Sequence, residues 1–499
     1  MMQVEALSED ERGAAVASDP SFVIRSRVLC VDFDETFTLV DSLHECVVAV
    51  LRVRPWIIFL LPLWILGGRE TLKRRLAELA GADLRSDLFP RRPETLALIA
   101  AARAQGRRVE LVSAAHQDLL DRACGDAGFD AIFGTSDGVN LKGLRKAKFL
   151  AERHPDGFAY VGDSRADIPV WQVASERFAV GMSASTRRRI KATGLDVQEI
   201  APHRTTRTPL LRAMRPHQWA KNLLIFVTLG LALDNVTPTV LLKFIAAFVA
   251  FCAVTSGTYL INDLTDIVAD RLHPRKRNRP LASGALSVAV AVPTALILVA
   301  AGLTLSLATS LNIGITLLAY FGLTLAYSLG LKRLAIIDVL VVAILFTTRI
   351  IAGAFAYETP ISEWVLIFSL FFFTSLAFMK RLVEVGALDQ TGSVAIAGRG
   401  YRLRDESFLL TTGIAFGVAA LVIFSLYVSD VSRSSFSQYR GPEILWVGLG
   451  LLGYWIMHMW LRASRREMHD DPILFALRDP VSLALGATVF LTAVLAQIL

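Results

Sequence analysis

The chain has 499 residues, of which 54% are hydrophobic and 19% charged, and a mean hydropathy of +0.49. These values exclude an ordinary soluble protein and point to a polytopic membrane protein. The net charge of +7 is carried by Lys and Arg beside apolar stretches, where membrane topology accounts for it, so nucleic acid is not an expected partner. Cys30, Cys46, Cys124 and Cys252 show no CxxC spacing and read as core thiols rather than as a disulfide framework or a zinc site. The apolar excess is uneven, and two domains follow: residues 1–205 are charge-rich, and residues 206–499 are mostly apolar runs separated by short polar loops. With Glu5, Asp10 and Glu11 and no apolar core, the N-terminus does not have the pattern of a secretory signal, which places the first domain in the cytoplasm.

Val28 to Val31 is patterned as a short buried strand and runs into Asp32-Phe33-Asp34-Glu35-Thr36. Leu111-Val112-Ser113 ends a second strand, Lys146 opens a helix, and Tyr160-Val161-Gly162-Asp163-Ser164-Arg165-Ala166-Asp167 ends a third strand. In this order the four elements resemble the motifs of the haloacid dehalogenase superfamily. The resemblance implies an α/β Rossmannoid domain with a helical cap, here at about residues 41–90. It also implies that Asp32 attacks phosphorus, that Asp34 serves as general acid and then base, and that Ser113 binds the phosphoryl group. Lys146, with Lys142 as rival, would balance the charge, and Asp32, Asp34, Asp163 and Asp167 would hold Mg²⁺.

Inside the cap lies Trp56-Ile57-Ile58-Phe59-Leu60-Leu61-Pro62-Leu63-Trp64-Ile65-Leu66, too short to cross a bilayer. With Arg52 and Arg54 ahead of it, the run suits either a seat in the membrane interface or packing of the cap against its own core.

Apolar segments follow at about 222–234, 239–261, 286–308, 311–329, 335–357, 362–379, 408–429, 444–461 and 480–499, which predicts an all-α membrane bundle of about nine transmembrane helices. A cytoplasmic first domain puts the loops at 262–285, 330–334, 380–407 and 462–479 on the same side; they hold about 16 Lys and Arg against about two in the opposite loops. This is the asymmetry expected of a multi-pass protein of the inner (plasma) membrane.

The loop after the second segment reads Asn262-Asp263-Leu264-Thr265-Asp266-Ile267-Val268-Ala269-Asp270, with carboxylates at i, i+3 and i+7 on one face of a helix continuing out of the membrane. Such repulsion is tolerable when Mg²⁺ bridges the acids to substrate phosphate oxygens. Arg275, Lys276, Arg277 and Arg279 come next, beside Pro280-Leu281-Ala282-Ser283-Gly284, and acids and cations together suit a diphosphate clamp. A transporter or scaffold that merely binds an ion would not need the cations.

The Asn-Asp-x-x-Asp-x-x-x-Asp pattern with Arg-Pro-Leu-Ala-Ser-Gly resembles the first signature of the UbiA superfamily. Arg215-Pro216-His217-Gln218-Trp219-Ala220-Lys221-Asn222 is similar to its first-helix motif in the branch that includes decaprenyl-phosphate phosphoribosyltransferase, with Lys221 and Asn222 facing the cavity. Aromatic-acceptor members carry a second acidic motif; here the loop has Tyr327, Lys332 and a single Asp338, followed by Arg349 and Gly353 in the next segment.

The resemblance therefore implies Asp263, Lys332 and Asp338 as catalytic, Asp263, Asp266 and Asp270 as Mg²⁺ ligands, and Asn262, Lys276, Arg277, Arg279, Tyr327 and Arg349 as substrate-binding. Phosphoribosyl diphosphate would be the donor and polyprenyl (decaprenyl) phosphate the acceptor. The alternative is a prenyl diphosphate donor with an aromatic acceptor such as 4-hydroxybenzoate. Arg349 is informative without the resemblance, because an arginine in an apolar span faces a polar cavity. Lys380, Arg381, Glu384, Gly398 to Arg402, Asp470, Asp471 and Arg478 are second-rank candidates.

Overall fold

The computed structural model describes residues 24–136, 140–203, 206–231, 236–358, 362–391, 399–433, 439–468 and 471–499. Gly398 and Asp470, and the N-terminal acids, lie outside the described residues. The chain divides into two compact units, Met1–Met214 with Leu260–Pro293, and Arg215–Tyr259 with Thr294–Leu499.

The first unit is built on six parallel strands, β1 (Val28–Val31), β2 (Arg108–His116), β3 (Ala131–Thr135), β4 (Ala159–Gly162), β5 (Glu176–Val180) and β6 (Gln198–Ala201), in the order β3-β2-β1-β4-β5-β6. Central β1 and β4 are buried along their whole length, which is why they read as continuous apolar runs rather than alternating ones. The strand order reverses between β1 and β4, and the crevice at their carboxyl ends is where open α/β sheets place ligands. β2 extends three residues past Ser113, to His116.

The cap consists of helices Ser42–Val53, Leu61–Leu66 and Arg69–Ala80 with a 3₁₀ turn at Pro55–Phe59. Cys46, Ala49, Val50, Ile57, Leu76 and Ala80 turn into the core of the unit. Of the apolar run, only Ile57 is fully buried; Leu61 and Trp64 are partly covered, so packing on its own core absorbs a minority of it.

Residues 260–293 pack onto this domain. Arg271 makes two hydrogen bonds to the Glu45 carboxylate, at 2.7 and 3.0 Å, with both side chains almost fully buried, and its guanidinium lies 5.5 Å from the Phe89 ring centroid. Gly284 has φ +71, and a Cβ there would stand 2.7 Å from Leu39 Cβ; both the backbone and the space call for glycine at the end of the Arg-Pro-Leu-Ala-Ser-Gly stretch.

Among the described residues eight helices are long and apolar enough to cross a membrane: Pro238–Thr265, Val288–Thr309, Leu311–Leu329, Ile337–Tyr357, Glu363–Leu388, Leu403–Arg433, Pro442–Ser464 and Pro480–Ile498. The remaining expected segment, 222–234, extends beyond the described residues at 232–234; its described part is a 3₁₀ stretch, Pro216–Phe226, that leads into the helix Val227–Leu231. Arg215 enters with φ +54 and Pro216 supplies no amide hydrogen. The segment also packs closely on the Ile337–Tyr357 helix, where a Cβ on Gly353 would fall 2.1 Å from the Ile225 carbonyl oxygen. Ile337–Tyr357 is the most buried of the spans, flanked by the clusters around Phe346, Phe373 and Trp460 and around Phe244, Phe251 and Tyr320.

Removing one member of a buried ion pair strands the other charge. Glu45→Ala is therefore expected to destabilise the first unit by about 3–5 kcal/mol. Thermal unfolding in detergent checks this, with Glu45→Gln expected to cost less because it leaves an acceptor for Arg271.

Candidate active sites

β1 delivers Asp32 at its end, and the Asp32 amide donates to Val161 O of β4 at 3.1 Å, tying together the strand ends that carry the acidic motifs. Asp32 Oδ1 accepts from the Phe33 amide at 2.9 Å and from Lys146 Nζ at 2.8 Å. The chain then reverses through Glu35, at φ +53. This turn directs Asp34 Oδ1 to the Ser42 amide, 2.7 Å away at the start of the first cap helix.

Across the crevice, Asp167 Oδ1 accepts from the Tyr160 hydroxyl at 2.6 Å, and its Oδ2 accepts from the Ser164 amide and hydroxyl at 3.0 and 2.9 Å. A Cβ at Gly162 would lie 2.7 Å from Asp167 Cγ, so glycine is what admits this carboxylate. Lys146 Nζ also donates to Tyr160 at 3.0 Å and stands 3.7 Å from Asp167.

Carboxylate oxygens of Asp32, Asp163 and Asp167 lie within 4.8 Å of one another. Burial, then Asp167 and Asp32, push the Asp163 carboxyl well above its usual range. Burial alone would lower Lys146, but the Asp32 and Asp167 carboxylates outweigh it and hold the ammonium above its usual range. Three carboxylates facing one ammonium leave a negative excess of hard oxygen donors, a set that fits a divalent cation such as Mg²⁺. Asp34 is not in this cluster, because its carboxylate is drawn to the helix start. There burial, then Asp41, push it up to about 7, which leaves it protonated at mildly acid pH and able to give a proton.

Ser113 is buried on β2, and its hydroxyl accepts from the Ala115 amide at 3.1 Å. Lys146 is buried against Asp32 whereas Lys142 is exposed, which separates the two rivals. Sequence reasoning missed Tyr160 as a link between Lys146 and Asp167. It also missed Lys73 of the cap, which donates to Ala114 O at 3.2 Å beside Ser113. Tyr160 stood inside a recognised motif; Lys73 is one of several cations on a polar helix and carried no signal.

In the acidic loop the Pro238–Thr265 helix ends before Asp266, and a new short helix, Ile267–Leu272, begins after it. The expected single continuous helix is thus broken at Asp266, although the Asp266 and Asp270 amides still bond back to Asn262 and Asp266 carbonyls at 2.9 and 2.8 Å. Asp263 and Asp270 are buried and share Arg279, at 3.2 and 2.7 Å. Arg275, Lys276 and Arg277 are exposed, and among the described residues Arg279 is the one of these four cations that pairs with the acids. Asn262 Oδ1 is buried with no hydrogen-bond partner among the described residues. Asn262, Asp263, Asp266 and Asp270 are oxygen-bearing side chains of the kind Mg²⁺ takes, but among the described residues the carboxylates that lie within 4.8 Å of one another as a group of three are those of Asp32, Asp163 and Asp167, not those of this loop.

The second unit holds two polar clusters. In one, Arg349 is buried in the Ile337–Tyr357 helix and donates to Asn222 Oδ1 at 2.8 Å, the Tyr320 hydroxyl at 3.0 Å and Leu345 O at 2.6 Å. All of these partners are neutral. Lys221, beside Asn222, pairs with Asp471 at 2.8 Å, as does Lys380 at 2.9 Å.

In the other cluster, Asp338 is fully buried, paired with Arg381 at 2.7 Å and accepting from Tyr401 at 2.7 Å. Arg381 and Arg399 also reach the Tyr327 hydroxyl, at 3.1 and 2.9 Å, and Glu384. Asp338 and Tyr327 are thus engaged by arginines, an arrangement that fixes the loop geometry. Lys332 sits half-buried on the 3₁₀ turn Leu331–Arg333. Arg381 and Arg399, second-rank candidates from sequence, prove to be the hubs here.

Comparison with known proteins matches each half of the chain to a family. Residues 223–486 match the UbiA prenyltransferase family and residues 29–172 match haloacid dehalogenase-like hydrolase. The chain belongs to the UbiA prenyltransferase family and carries an N-terminal haloacid dehalogenase-like phosphatase domain; it is an integral membrane enzyme. Among its relatives it is 37% identical over 476 residues to y4nM of Sinorhizobium fredii, covering 95% of this chain and 92% of that one. It is 36% identical to nodulation protein NoeC of Azorhizobium caulinodans, over 54% of this chain and 87% of the relative. It is 37% identical to decaprenyl-phosphate phosphoribosyltransferase of Mycolicibacterium smegmatis, over 45% of this chain and 72% of the relative.

Lys146→Ala is expected to lower hydrolysis of para-nitrophenyl phosphate by about 100-fold or more, and Lys142→Ala by less than about threefold, because only Lys146 touches the cluster. Steady-state kinetics on the full-length protein in detergent reads both.

Proposed function

We propose that the membrane domain transfers phosphoribose from phosphoribosyl diphosphate to the phosphate of a polyprenyl phosphate such as decaprenyl phosphate, and that the N-terminal domain removes the 5-phosphate from the lipid-linked product. The observation that carries this reading is Arg349, a buried cation in a membrane helix whose partners among the described residues are all neutral. An unbalanced charge at that depth calls for an anionic ligand. Similarity to decaprenyl-phosphate phosphoribosyltransferases supports phosphoribosyl diphosphate as its source.

In the transfer, the lipid phosphate oxygen attacks the anomeric carbon as the bond to diphosphate breaks, and the ring oxygen shares the positive charge that develops. Asp263, Asp266 and Asp270 with Asn262 would hold Mg²⁺, which would supply the positive charge that a departing diphosphate needs. Arg279 alternates between balancing Asp263 and Asp270 and meeting the phosphates; Lys276 and Arg277, exposed, meet the incoming donor. Asn222 orients Arg349, and Lys221 is held ready by Asp471. Asp338, Tyr327, Arg381 and Arg399 position the loop that carries Lys332. The apolar cavity of about 400 Å³ lined by Leu224, Phe372, Phe373, Leu376, Trp455 and Val489 suits part of a polyprenyl chain.

In the phosphatase, Asp32 attacks phosphorus while Asp34 protonates the leaving alcohol; water then releases phosphate, with Asp34 as base. Asp163 and Asp167 with Asp32 would hold the metal, Lys146 balances Asp32, and Ser113 meets the phosphoryl oxygens. The membrane is the inner membrane and the phosphatase domain is cytoplasmic, on the strength of the loop charges.

The test offers purified protein labelled phosphoribosyl diphosphate with polyprenyl phosphate, against prenyl diphosphate with 4-hydroxybenzoate. Label is expected in lipid from the first pair, with Asp263→Ala and Arg349→Ala each lowering it by about 100-fold or more. Asp32→Ala is expected to leave transfer intact and to retain the 5-phosphate on the product. Prenylation of 4-hydroxybenzoate alone would overturn the proposal in favour of an aromatic prenyltransferase. Chelation with EDTA is expected to abolish both activities, and added Mg²⁺ to restore them.

A further inference from the structure

The cap carries an apolar surface that neither catalytic reading uses. Trp56, Ile58, Phe59, Leu63, Ile65 and Leu66 are all exposed, Phe59 at 80% and Leu66 at 84%. Elsewhere among the described residues of 24–214 the exposed large apolar side chains, beyond the adjoining Val53, are the scattered Leu96, Leu144, Val173 and Leu211. A contiguous patch of this kind marks an interaction surface, whereas scattered ones do not.

Its surroundings specify the partner. Between residues 52 and 79, apart from Lys73 in the crevice, the sequence has Arg52, Arg54, Arg69, Arg74 and Arg75 against Glu70 and Glu78, so the apolar run is bracketed by positive charge. Tryptophans stand at positions 56 and 64, and the run is too short to cross a bilayer. Apolar side chains, a basic rim and indole rings are the composition of a segment lying in an anionic membrane interface. Among the described residues the chain also has eight membrane-length helices, so the patch is tethered at high effective concentration to a bilayer.

We infer that the Pro55–Leu66 segment seats the cap in the headgroup region of an anionic bilayer. The cap is also the element that touches the phosphatase crevice, through Ser42 on Asp34 and Lys73 on Ala114. A cap seated in this way favours phosphate monoesters borne by membrane-anchored molecules over free ones. That last step rests on the phosphatase reading above; the membrane seat does not.

All four native cysteines are buried, so a single introduced cysteine can be labelled selectively. Full-length protein with Phe59→Cys or, as control, Val173→Cys is labelled with an environment-sensitive fluorophore and reconstituted in phosphatidylcholine/phosphatidylglycerol vesicles, with or without brominated acyl chains. The expected result is blue-shifted emission at position 59 that loses about half its intensity with brominated lipid, and no quenching at position 173. Equal quenching at both positions, or none at either, overturns the inference. A blue shift at position 59 without quenching, accompanied by cross-linking between copies, overturns it in favour of a protein contact.

In a second arm, Phe59→Ser combined with Leu66→Ser is expected to slow hydrolysis of phosphatidic acid in these vesicles by about tenfold while leaving para-nitrophenyl phosphate unaffected. Equal loss on both substrates overturns the substrate preference. Quenching at position 59 in a protein that hydrolyses neither substrate sustains the seat and removes the phosphatase reading instead.

Discussion

Charge buried away from water has to be met by opposite charge, by hydrogen bonds or by a ligand, and this constraint organises both halves of the protein. In the phosphatase crevice, Asp32, Asp163 and Asp167 converge on one ammonium, Lys146, which is itself held by Tyr160. In the acidic loop Asp263 and Asp270 converge on Arg279. In the membrane domain the imbalance is reversed: Arg349 is buried among neutral partners, while Asp338 is matched by Arg381 and Arg399. Saturated clusters of this kind set geometry, and unsaturated ones are where a metal or phosphate has something to add.

The acidic loop belongs to the same compact unit as the phosphatase domain, and the contact between them is specific. The helix that begins at Ser42 supplies the amide that holds Asp34, and one turn further on it supplies Glu45, which takes the guanidinium of Arg271. Arg271 directly follows Asp270. A short path of backbone and one buried ion pair therefore connects a residue of the phosphatase crevice to a carboxylate of the transferase motif. Gly284, pressed against Leu39, closes the same interface from the other end of the loop. Both contacts lie within the first compact unit.

Chemistry encoded in local spacing was readable from the chain. The Asp32-x-Asp34 pattern, the strand patterns before Ser113 and Asp163, and the carboxylates at 263, 266 and 270 each sit within a few residues of the backbone feature that displays them, so two domains and the acidic motif of each were legible. Choices among equivalent side chains were not. Lys142 and Lys146 are four residues apart, and only the fold shows that one is exposed ahead of the helix and the other buried on Asp32. Likewise Lys276, Arg277 and Arg279 are near neighbours in sequence, but one of them reaches the acids.

Hydropathy marks apolar residues at 222–234 but does not register their local form, a 3₁₀ stretch to Phe226 followed by the helix Val227–Leu231 in the part that is described. By itself the sequence determined the fold class of each domain, the membrane character of the second and the residue types available for catalysis, because periodicity and motif spacing are local properties. Which carboxylates share a cation, that Arg381 and Tyr401 occupy Asp338, and that the acidic loop packs on the phosphatase cap were decided only by tertiary structure. These pairings join residues up to 226 positions apart, as Glu45 and Arg271 are, and no local pattern records such a meeting.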